Sequence, residues 1–107
     1  MTLEIDLERY WGARFRGVAY DCAAMSVVFD LYWTDGSLSF GARLLFEGVT
    51  KLNFMAEKIY RSEVVELVSL EGRKETNGWR IVGELSNYDF DILCTGVKEI
   101  DSRTANT

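Results

Sequence analysis

Apolar and polar residues alternate along most of this chain with a period of two, the spacing that sends successive side chains to opposite faces of a β-strand. Ala13 to Tyr20, Ser26 to Trp33, Leu38 to Phe46, Glu63 to Leu70, Trp79 to Leu85 and Tyr88 to Thr95 read this way, and a short strand carrying Leu52 and Phe54 makes a seventh. In the first strand the alternation places Arg14, Arg16, Val18 and Tyr20 on one side and Phe15, Gly17 and Ala19 on the other. A helical spacing occurs at the N-terminus, where Leu7, Tyr10 and Trp11 stand at i, i+3 and i+4 behind Asp6, a residue suited to cap one turn. Leu3, Ile5 and Leu7 also alternate with acids, so a short strand competes there, and the turn is preferred.

Two hairpins are the best specified units. Between Trp33 and Leu38 lies Thr34-Asp35-Gly36-Ser37, and Asp-Gly is a favoured two-residue loop. That loop pairs Trp33 with Leu38, Leu31 with Phe40, Phe29 with Ala42 and Val27 with Leu44, so one face is wholly apolar. Around Ser86-Asn87 the second hairpin pairs Trp79 with Cys94, Ile81 with Ile92, Gly83 with Phe90 and Leu85 with Tyr88. Its other face sets Glu84 beside Asp89 and Val82 beside Asp91, while Phe90 covers the gap left by Gly83. The core is expected to join Val27, Phe29, Leu31, Phe40 and Leu44 to Ile81, Phe90 and Ile92.

The stretch Leu45-Phe46-Glu47-Gly48-Val49-Thr50-Lys51-Leu52 recurs as Leu93-Cys94-Thr95-Gly96-Val97-Lys98-Glu99-Ile100. Each copy ends an alternating run and then meets a glycine, which in a strand pattern marks a bend. Two copies do not make a solenoid. They predict one domain, residues 1–107, that is all-β: an antiparallel β-sandwich or partly open barrel built from two similar hairpin units, with at most a short N-terminal helical turn. Met55 to Ser62 reads as a loop, Glu71 to Gly78 as a long polar turn, and Ser102 to Thr107 as a frayed end.

Phe46-Glu47-Gly48-Val49-Thr50-Lys51-Leu52, preceded by the Asp-Gly hairpin and followed by a second apolar-x-Gly-Val strand, resembles a group of small bacterial all-β proteins with an F-x-G-V-x-x-L signature. Some members are immunity proteins encoded beside polymorphic or contact-dependent toxins. The likeness spans Ala13 to Asp101. The Leu-His-Asp start of several relatives is replaced here by Tyr10-Trp11-Gly12, and no functional residue carries over. The resemblance implies a domain that acts by occupying a toxin's surface.

Composition narrows the chemistry. There is no histidine, which removes imidazole as base, nucleophile activator or metal ligand. Cys22 and Cys94 lie far apart with no CxxC pair, so no metal or other cofactor is expected, and Cys94 alternates with core residues as a packed thiol. The glycines match neither GxGxxG nor a phosphate-loop spacing. Seventeen acids against twelve bases, with no basic block, argue against nucleic acid as a ligand. Glu4, Asp6 and Glu8 replace the basic start of a signal peptide, and no uncharged run approaches the roughly 20 residues that cross a bilayer. A cytoplasmic protein without a membrane partner is expected.

Glu84, Asp89 and Asp91 form the one candidate surface, an acidic hairpin face with Arg80 nearby, suited to a basic protein partner such as a toxin. The expected function is therefore non-enzymatic protein binding. A binder of a small apolar ligand held between the hairpins is the alternative. A hydrolase using paired carboxylates is a second alternative. Open strand edges also permit a homodimer.

Overall fold

The computed structural model describes residues 5–55, 65–86 and 88–106. Among these residues it is an antiparallel sandwich of two four-stranded sheets preceded by a single 3-10 turn at Leu7–Tyr10. The turn forms where the helical spacing placed it, with the Asp6 carboxylate accepting the Glu8 N–H at 3.1 Å. Eight strands follow among the described residues: β1 (Arg14–Asp21), β2 (Ser26–Asp35), β3 (Leu38–Glu47), β4 (Lys51–Met55), β5 (Leu67–Glu75), β6 (Gly78–Leu85), β7 (Asp89–Cys94) and β8 (Gly96–Asn106).

The sheet orders are β1-β2-β3-β8 and β4-β7-β6-β5. Each half of the chain contributes a three-stranded meander, and each then passes its fourth strand to the other half's sheet. This is the structural meaning of the repeat. The two copies run antiparallel to one another, Leu45 opposite Lys98 and Glu47 opposite Gly96 in the first sheet, Lys51 opposite Leu93 in the second. Equivalent positions bond directly where they cross, the Thr95 N–H and hydroxyl both donating to the Glu47 carbonyl at 2.8 and 3.0 Å. The glycines are not equivalent in need. Gly48 has φ +59°, and a Cβ on it would lie 2.5 Å from Thr95 Oγ1, whereas a Cβ on Gly96 would meet nothing within 4 Å.

The core forms from the inward residues of both meanders. Phe29 lies at its centre, 4.7 Å from Phe46, 5.2 Å from Phe15 and Phe90, and 6.2 Å from Phe54, measured between ring centroids. Val27, Leu31, Leu44, Ile81 and Ile92 are fully buried around it, as the alternation requires. Burying a side chain of this size contributes about 1.5–3 kcal/mol. Phe40, expected in this group, is only half-buried, because it lies toward the hairpin end and stacks on Trp33 at 5.6 Å.

Four other expectations are corrected. The first hairpin is shifted by two residues: Asp35 pairs with Leu38, so Leu31 opposes Ala42 and Phe29 opposes Leu44. The loop is Gly36-Ser37, with positive φ at Gly36 (+62°) and not at Ser37, which suits glycine at the first central position. A two-residue shift preserves the faces, so the pattern could not detect it. In β1 a bulge at Arg16 reverses the alternation: Phe15, Val18 and Tyr20 oppose inward residues, while Gly17 and Ala19 oppose outward Asp30 and Val28. Glu71 to Glu75 is strand rather than turn, laddered to β6 and exposed. Ser102 to Asn106 is likewise strand, paired along β3 as far as Leu38. Both stretches are polar edge segments whose backbone partner, not their side chains, makes them extended. The loop expected from Met55 lies, beyond that residue, outside the described residues.

Candidate functional site

The outward face of the second sheet carries the predicted acidic residues. The alternation that buries Phe90, Ile92 and Cys94 on β7 turns Asp89 and Asp91 outward, and the same holds for Glu84 and Val82 beside Leu85 and Ile81 on β6. Register follows the expected one, Glu84 opposite Asp89, Val82 opposite Asp91, Gly83 opposite Phe90 and Trp79 opposite Cys94.

The structure divides the three acids into two kinds. Asp91 is not part of a free acidic surface. Its carboxylate is only 16% exposed, and Oδ2 lies 3.6 Å from both Lys51 Nζ and Arg80 Nη1, while Arg80 Nε lies 3.2 Å from Glu75 Oε1. Lys51 belongs to β4, which lies beside β7, and nothing local in the sequence announces that neighbour. Two cations around one half-buried acid make Asp91 the centre of an ion network that ties β4, β7 and β6 together. Its Oδ1 is buried without a hydrogen-bond partner among the described residues.

Glu84 and Asp89 are exposed, and neither has a cation within 4 Å among the described residues. Directly opposed like charges weaken a sheet. With Ser69, Glu71, Arg73, Val82 and Gly83 they line a shallow groove of about 290 Å³. Glu71 joins the acids because β5 continues past Leu70, and reading that stretch as a turn hides it. Arg73 lies 4.0 Å from Glu71 and is largely exposed.

The other candidates have structural surroundings. Cys94 is buried between the sheets, and burial pushes its thiol up to about 11, so it is not a thiolate at neutral pH. Cys22 is exposed in the turn after β1. Trp33 and Trp79 are half-buried, and the exposed Trp11 donates its indole N–H to the Leu70 carbonyl at 2.9 Å. Among the described residues no three acids or cysteines are grouped to hold a metal ion, and no helix is long and apolar enough to cross a membrane.

No protein-family model matches the chain, and no curated protein matches it.

Proposed function

We propose that this chain is a non-catalytic cytoplasmic protein-interaction domain, an immunity protein that neutralises a toxin by occupying a basic part of its surface. The observation that carries this reading is the uncompensated pair Glu84 and Asp89, opposed across β6 and β7 beside Glu71. A groove in which three acids face the single cation Arg73 favours a basic partner and raises its association rate. The net charge of −5 acts in the same direction, and the resemblance of Phe46 to Leu52 to a group of small bacterial all-β proteins, some of them immunity proteins, suggests the biological setting. Phe29 and its four aromatic neighbours pack against one another between the hairpins, which supports a protein partner over an apolar ligand held there. A homodimer through strand edges belongs to the same proposal.

The test uses a partner captured with the parent protein, followed by association rates at low and at physiological salt. The double substitution E84K/D89K is expected to slow association and reduce its salt dependence while leaving the circular dichroism spectrum unchanged. Equal rates with equal salt sensitivity would move the binding face elsewhere.

A further inference from the structure

We propose that Asn77, in the turn between β5 and β6, is a site of spontaneous deamidation, and that its isoaspartate product releases the end of β5 from the sheet. The chemistry is independent of what the acidic groove binds.

Asn77 is the one asparagine of the chain that is followed by glycine. The loop that carries it is only Thr76-Asn77, with Glu75 paired to Gly78 across it, and both loop residues are exposed. Backbone at a loop tip, where a ladder ends, opens more readily than backbone inside one. Gly78 cannot be exchanged for a residue whose side chain would shield its nitrogen. Its φ is +153°, and a Cβ on it would enter the carbonyl oxygen of Cys94 on β7. The close approach of β6 to β7 therefore demands the residue that leaves the Asn77 side chain beside an unhindered amide. Asn53 supplies the contrast, since it is half-buried within β4, opposite Asp91, and is followed by the bulky Phe54.

The reaction needs only water. The Gly78 nitrogen attacks the side-chain carbonyl carbon of Asn77, a five-membered imide closes as the bond to the side-chain amide nitrogen breaks, and ammonia leaves with the Gly78 proton. Water then opens the imide at either carbonyl. Opening at the side-chain carbonyl leaves an aspartate at position 77, and opening at the main-chain carbonyl leaves an isoaspartate, whose main chain runs through the former side chain and is longer by one methylene. Either product places a new carboxylate in the groove of about 370 Å³ that Asn77 lines with Thr50, Glu75 and Thr95.

The longer main chain does not fit this turn. A two-residue loop sets the span from Glu75 to Gly78, and Gly78 has no room to move onto Cys94. The displacement falls on β5, where Arg73, Lys74 and Glu75 are exposed and are held by their ladder to β6, by the 3.2 Å pairing of Glu75 with Arg80 and by Lys74 over the Trp79 ring at 5.0 Å. Exposed ion pairs of this kind hold weakly.

The experiment incubates the full-length protein for weeks at mildly alkaline pH. Isoaspartate is read by enzymatic transfer of a labelled methyl group from S-adenosylmethionine and located by peptide mass mapping, and amide spectra are recorded on the same samples. Label is expected at position 77 and not at Asn53. In the aged parent the Arg73–Glu75 amides should shift and exchange faster. Asn77→Gln, which would have to close a six-membered ring, should age without that change, and its dispersed spectrum shows that it is folded. Asn77→Asp, with the charge but a main chain of normal length, should keep the Arg73–Glu75 ladder. The proposal is overturned by no label at position 77, by equal label at Asn53, by aged parent whose Arg73–Glu75 amides match the fresh sample, or by the same loss of ladder in either variant.

Discussion

The hydroxyl of Tyr10 donates a 2.8 Å hydrogen bond to Oε1 of Glu99, joining the N-terminal turn to the strand exchanged from the far end of the chain. Glu99 opposes the buried Leu44 and so projects toward the interior, and the fully buried Tyr10 is the donor that meets it. Removing the hydroxyl in Tyr10→Phe leaves that carboxylate without its donor, at an expected cost of about 1–3 kcal/mol in urea unfolding. A loss within a few tenths of a kcal/mol would mean that Glu99 turns to water and needs no partner.

The same residue and Cys94 set the response to alkali. Burial raises both, and for Tyr10 the hydrogen bond to Glu99 and its charge add to burial. A pKa higher in the folded state means that stability is fully present below the unfolded pKa, which for the thiol is 9.0, and is lost as pH rises toward about 11. Stability should therefore be level up to about pH 9 and then fall, with the thiol's share on the order of 2 kcal/mol. Cys94→Ala should flatten the pH 9 to 11 part of the curve, whatever it costs in packing. An unchanged slope would assign the loss to other groups. A disulfide reagent should modify Cys22 at once and Cys94 only on unfolding.

Gly83 lies against Phe90, and a Cβ added to it would enter the Phe90 ring and also lie 2.5 Å from the Ser69 carbonyl oxygen. Gly83→Ala should destabilise by about 1–3 kcal/mol through overpacking. Phe90→Ala should cost about 3–5 kcal/mol, since the ring packs on Phe29 and Phe54 as well. Combined, the two should cost less than their sum, because the alanine methyl occupies part of the space the ring leaves. Additive denaturant midpoints would mean that glycine and ring are not coupled.

Trp11 closes part of the β5 edge through its indole N–H and the Leu70 carbonyl. Trp11→Phe keeps a ring and removes the donor, and it should cost about 1 kcal/mol. Trp11→Ala exposes the edge and should add concentration-dependent association in sedimentation. A monodisperse, equally stable Trp11→Ala variant would make the ring mere surface.

Phe40 measures where the core ends. Half-buried and stacked on Trp33, it should lose less on truncation to alanine than Phe90, by at least about 1 kcal/mol in the same urea experiment. Equal losses would place the hairpin end inside the core.

The sequence by itself determined the class of fold, most strands, the single N-terminal turn and the second hairpin's register. These depend on local periodicity, a capping side chain and turn chemistry, all contained within a few residues. It also marked the paired stretches around Gly48 and Gly96 as bends. Only the tertiary structure decided that the two stretches cross and exchange strands, because that is a pairing between segments 48 residues apart with no local signature. The two-residue shift at Gly36-Ser37 escaped for a related reason, since both registers bury the same face and only the turn geometry separates them. The polar strands Glu71 to Glu75 and Ser102 to Asn106 are extended by the neighbour that takes their backbone bonds, which their own side chains do not encode. For the same reason the candidate site was half legible. Alternation placed Glu84, Asp89 and Asp91 on one face, but the position of β4 beside β7 gave Asp91 its Lys51, and the length of β5 brought Glu71 to the other two.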